Sequence, residues 1–215
     1  MGKFLTAVII SAMLIACGSN KNYLERSNET KALFDAVKKL NKSSNDEKAS
    51  DAVPILYANL VKTHLGKINS FKAGTDLERW DRIISEYNSL QEMYNLIINS
   101  SPAFKLVTPR NFSPELQESK QQAAEGYYAE ALLFLYKTGR ENAKRAYGYF
   151  EKVDRLVPSY KDVLQKTELA YENAVVDVVI NKVDDNRYFV NNPGGLVGYD
   201  FTNDYFQKRL VNELG

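Results

Sequence analysis

Residues 120–158 read KQQAAEGYYAEALLFLYKTGRENAKRAYGYFEKVDRLVP, and this stretch decides the fold. A periodic apolar run ends at Thr138-Gly139, and a glycine just past such a run favours a helix end. Beyond it Ala146, Phe150 and Val153 recur at spacings of four and three, so they share one face of a second helix. Pro158 stops that helix, because proline lacks an N–H and disfavours helical geometry in the residue before it. The expectation is a hairpin in which Ala146, Phe150 and Val153 pack against the helix from Pro114 to Lys137.

Toward the N-terminus three more helices are expected. The first spans about Leu24 to Leu40, with Leu33, Ala36, Val37 and Leu40 as its stripe. Ser44 with Glu47 has the form of a capping box, and a second helix begins near Asp51, with Pro54 in its first turn. Its apolar face is Leu56, Tyr57, Leu60, Val61, His64, Leu65 and Ile68. Ser70 to Thr75 breaks it, and Thr75 with Glu78 forms another capping box. The third helix has the clearest periodicity, through Trp80, Ile83, Ile84, Tyr87, Leu90, Tyr94, Ile97 and Ile98. It stops at Ser100-Ser101-Pro102. Ala103 to Phe112 is long for a helix–helix connection and is expected to lie as a strap, and Ser113-Pro114 then reads as a cap and first residue.

Past Pro158, Ser159 and Asp162 start a sixth helix with Val163, Thr167, Ala170 and Ala174 inward. The valines from Ala174 to Val183 read as a strand, because β-branched residues fall on both sides of the alternation. Only Arg187 to Val190 offers a partner strand, and a lone strand leaves its ladder groups unpaired. The strand therefore pairs with a partner protein, or the chain is the front of a longer one, or the sixth helix continues through the valines. A final helix carries Phe206, Leu210 and Leu214. The fold class is mainly α: helical hairpins over residues 24–172, then a strand-plus-helix unit over 173–215.

A small residue at 146, an aromatic at 150, a small residue at 153 and a proline at 158 together resemble the second helix of a tetratricopeptide repeat. That resemblance implies a superhelix of about three hairpins that binds other proteins, with no chemistry and no cofactor of its own.

Lys3 followed by the apolar run Phe4 to Ala16 has the form of an export leader too short for a stable membrane span. It ends Leu14-Ile15-Ala16-Cys17-Gly18, which resembles a bacterial lipobox. The resemblance implies that residues 1–16 are removed and that Cys17 is acylated through its sulfur, leaving 17–23 as a tether. Several acyl chains, at about 0.8 kcal/mol per buried CH₂, anchor far better than one. Gly18 stands where an aspartate would favour the inner membrane, so the resemblance points to the outer membrane, and residues 18–22 (GSNKN) lack the acidic run associated with surface export, which points to its periplasmic face. Cys17 is the single cysteine, which excludes an intramolecular disulfide.

Charge narrows the function classes. Without Lys3, the 28 Lys and Arg fall to equal the 27 Asp and Glu. A neutral mature chain has no long-range field for nucleic acid.

Candidate chemistry is sparse. His64 is the only histidine, so no pair of histidines makes a zinc site, and on an apolar face it reads as a packed residue. Asn192 to Gly198 is glycine-rich, but no Gly-Lys-Ser/Thr follows and the glycines miss the dinucleotide spacing. Asp184-Asp185 lacks the alternating carboxylates of a calcium loop. No catalytic residue and no metal ligand is assigned, and an enzyme is not expected. Tyrosines 127, 128, 136, 147, 149, 160 and 171 crowd the hairpin region. Most are expected to fill gaps between helices, while Tyr128 and Tyr149 lie off the clearest stripes and are the candidates for partner contact. Two functions follow: a lipid-anchored adaptor for envelope proteins, or a lipoprotein that captures a nutrient for an outer-membrane transporter. An open face suits the first and a deep pocket the second.

Overall fold

A computed structural model of the chain describes residues 22–176. The expected leader, Cys17, the glycine-rich stretch, the Asp184-Asp185 pair and the expected final helix lie outside the described residues. The chain divides into two units between Ala174 and Val175. Of the second unit only Val175 and Val176 are described; both are exposed and neither has regular structure.

The first unit is helical throughout its described residues, with no strand among them. A single 3₁₀ turn, Tyr23–Glu25, precedes α1 (Glu29–Lys42), α2 (Glu47–Lys72), α3 (Arg79–Ile98) and the one-turn α4 (Ser101–Phe104). Then come α5 (Ser113–Leu135), α6 (Arg140–Leu156) and α7 (Val163–Ala174). Successive long helices pack on one another: α1 on α2, α2 on α3, α3 on α5, α5 on α6 and α6 on α7. One continuous apolar core runs through them. It includes Leu33, Leu56, Ile83, Phe112, Phe150 and Val163, and burial of each such side chain contributes roughly 1.5–3 kcal/mol.

Most residues of the expected stripes are buried, with Val61, Leu65, Trp80, Thr167 and Ala174 only half-buried, and two further adjustments apply. On α3 the core position is Met93, three past Leu90 and four before Ile97, while Ile98 is exposed and Tyr94 half-buried. The strap is a short helix plus a coil, and its far end is pinned: Phe112 is fully buried against the Tyr87 ring at 6.4 Å. Tyr57 Oη accepts from the Arg110 amide at 3.0 Å and Gln91 Oε1 from the Phe112 amide at 3.0 Å.

Helix starts differ from expectation because several oxygen-bearing side chains can compete at one terminus, as before α2, while at others, α3 and α5, the cap residue makes no side-chain hydrogen bond to the free amides. The first helix begins at Glu29, capped by Asn28, whose Oδ1 accepts from Lys31 N at 2.9 Å. Asp46, not Ser44, caps α2 by accepting from Ala49 N at 3.0 Å. That earlier start places Pro54 in the helix interior, so the Ser50 carbonyl loses its helical donor, an arrangement that costs about 3 kcal/mol in an isolated helix. The α2 helix also runs on to Lys72, and Thr75 caps nothing: α3 starts without a side-chain cap. Ser113 is itself the first residue of α5, with the Asn111 carboxamide accepting from its amide at 2.9 Å.

At the C-terminal end Ala174 closes α7 rather than opening a strand. Its carbonyl, a free helix-end acceptor, takes a hydrogen bond from Arg140 Nε at 2.8 Å. Residues 177–183 of the expected strand lie outside the described residues.

Candidate partner-binding groove

The α5–α6 hairpin turns on Gly139, at φ +107° and ψ 143°, a region that side chains with a Cβ avoid. Asn142 Nδ2 holds the turn by donating to the Thr138 carbonyl at 2.8 Å. On one side of the hairpin Ala146, Phe150 and Val153 are fully buried. The rings of Phe150 and Tyr128 meet edge-on at 5.7 Å, which seats α6 on α5. Pro158 lies exposed just beyond the cap residue Val157, and the chain turns there through positive φ at Ser159 and Lys161. Trp80 is half-buried at the start of α3 under the Arg79 guanidinium, 5.0 Å away.

The two tyrosines singled out from the sequence have different surroundings. Tyr128 is 8% exposed, packed edge-on against Phe150 and Tyr160, with its hydroxyl donating to the Asp162 carboxylate. It is an interior residue and offers no contact surface. Burial, then that hydrogen bond, pushes its hydroxyl pKa up to about 12, and the same bond holds the Asp162 carboxyl below its ordinary value. Tyr149 is half-buried in a ladder of three rings. It stacks on Tyr127 at 5.8 Å and on Phe134 at 5.8 Å, with interplanar angles of 23° and 22°.

Above this ladder lies a groove of about 350 Å³ lined by Phe134, Lys144, Arg145, Gly148, Tyr149 and Lys152. Gly148 lines it from an exposed helical position, with no neighbouring heavy atom within 4 Å of where a Cβ would stand. Cations stand over the rings: Arg145 at 5.4 Å and Lys137 at 4.9 Å from the Phe134 centroid, and Lys152 at 3.9 Å from that of Tyr127. Lys144 pairs with Glu141 at 2.8 Å and Lys152 with Asp81 at 2.5 Å. Among the described residues, Lys137 and Arg145 have no carboxylate within ion-pair distance.

Two polar junctions support the unit. Asp81 of α3 accepts from Tyr127 Oη of α5 at 2.7 Å and from Lys152 of α6, so three helices share one carboxylate. Burial, then Asp81, pushes the Tyr127 hydroxyl well above its ordinary pKa. His64 of α2 lies nearly buried with Nδ1 2.5 Å from Glu86 Oε2 of α3, and Lys67 reaches Oε1 at 3.3 Å. Beside a carboxylate, which only accepts, Nδ1 carries a proton and donates. His64 is thus a packed residue with a polar partner across a helix interface. Neither junction was legible in the sequence, because each joins residues 19 to 71 positions apart. The signal that does exist is local: Lys152 stands three residues past Tyr149 and so shares its face.

Among the described residues no cluster of histidine, cysteine or carboxylate side chains could hold a metal, and no helix is long and apolar enough to cross a membrane. No family model, curated protein or solved structure matches the chain.

Proposed function

We propose that the protein is a scaffold held by a lipidated Cys17 in the outer membrane, periplasmic face, and that its helical hairpins form a tetratricopeptide-like array binding envelope proteins. The observation that carries this reading is the open aromatic groove on α5–α6, where Phe134 and Tyr149 are left half-covered by their own unit. Half-covered aromatic side chains on a helical scaffold suit a protein partner. The Leu14 to Gly18 motif supplies the anchor.

The test is chemical crosslinking of the full chain in its own membranes, followed by purification. The adaptor reading expects discrete protein partners in fixed ratio. A membrane transporter as the one partner, with a bound small molecule, favours nutrient capture instead. Recovery of the chain alone overturns the adaptor reading.

A further inference from the structure

The geometry points to an acidic peptide segment bearing an apolar side chain as the occupant of the Phe134–Tyr149 groove. The inference rests on the adaptor reading and names the chemistry of the partner.

Charge complementarity selects that occupant. Four cations surround the groove, Lys137, Lys144, Arg145 and Lys152, and Glu141 and Asp81 neutralise two of them. Lys137 and Arg145 rest on the face of Phe134, and Arg145 also lies in the field of the Glu141 carboxylate one turn before it, but neither forms an ion pair, so both can draw a further anion. A carboxylate at the groove edge can take bidentate hydrogen bonds from Arg145 without displacing an existing ion pair. The floor adds the apolar half of the recognition. Phe134 and Tyr149 lie nearly parallel, and the open space at Gly148 lets a side chain settle against α6. A volume of about 350 Å³ admits a few side chains, far less than a folded domain face. An anionic lipid surface would also satisfy the charge, and the vesicle arm of the experiment separates it from a peptide.

The experiment uses the full chain in nonionic detergent and a fluorescein-labelled peptide, Glu-Asp-Leu-Phe-Asp-Glu, read by anisotropy. Its counterpart, Lys-Lys-Leu-Phe-Lys-Lys, is the charge control. The acidic peptide is expected to bind, more weakly as salt rises, and the basic one not to bind. Arg145→Glu and Gly148→Leu should each weaken binding by about tenfold or more. Gly148→Leu fills the groove from an exposed helical position, so it tests the site while sparing the core, and circular dichroism verifies that it folds. Equal binding of both peptides, or unchanged binding to a folded Gly148→Leu variant, overturns the inference. So does a preference of the Cys17→Ser chain for phosphatidylglycerol vesicles over neutral ones that Arg145→Glu abolishes, with no peptide binding, which would assign the groove to a lipid surface. Any of these results alongside a protein partner in the membrane crosslinking experiment would remove the acidic-peptide assignment and leave the adaptor reading standing.

Discussion

Tyr127 and Tyr128 are adjacent in sequence yet serve different interfaces, because successive residues on a helix point about 100° apart. Tyr127 ties α5 to α3 and α6 through Asp81, and Tyr128 ties α5 to the segment after Pro158 through Asp162. Their raised pKa values carry a consequence at alkaline pH. In the unfolded chain Tyr128 ionises near its ordinary value of 10.0, but in the folded unit only near about 12. Its contribution to stability is therefore complete below pH 10 and is lost as pH rises toward the folded value. Tyr127, pushed in the same direction, adds to that loss. Urea unfolding followed from neutral to high pH should show stability falling above about pH 10. The fall should be shallower in Tyr128→Phe, and an identical slope would show that Tyr128 does not titrate with unfolding. At the same scale, Tyr127→Phe should cost about 1 kcal/mol, since Asp81 keeps Lys152 as a partner.

The α5–α6 hairpin depends on one glycine and one aromatic. Phe150→Ala removes a fully buried ring from the helix interface and should destabilise the protein by about 3–5 kcal/mol in denaturant melts. An unchanged midpoint would mean that α6 does not seat on α5 through this face. Gly139→Ala forces a Cβ into a backbone region that costs about 1–3 kcal/mol. Gly66→Ala, in open space within α2, should instead stabilise by about 0.8–1 kcal/mol, so the two alanines should shift the midpoint in opposite directions. Much of this level was readable beforehand. The spacing of Ala146, Phe150 and Val153 identified the buried face, and Gly139 the turn. Helix starts were not readable in the same way, because Ser44, Asn45 and Asp46 are all competent caps and tertiary geometry chooses among them. Tyr128 looked peripheral for a similar reason. The residues that enclose it, Tyr160 and Asp162, come from the next turn of the chain, and no single-helix stripe could include them.

For the whole molecule, the proposed anchoring and the proposed binding should be separable. Cys17→Ser should shift the chain from the membrane fraction to an uncleaved or soluble form. Retention in the membrane with cleavage at the same bond would count against lipidation. The groove lies on α5 and α6, far along the chain from Cys17, so the same substitution should leave peptide binding unchanged. The measurement that tests the central claim most directly is site-specific photocrosslinking in intact envelopes, with p-benzoylphenylalanine at position 149 and, as a control, at exposed Glu118 of α5. The account predicts a discrete crosslinked protein from position 149, absent from position 118 and lost when Gly148→Leu fills the groove. Identical crosslinks from both positions, or none from 149 in a folded and anchored protein, would contradict it.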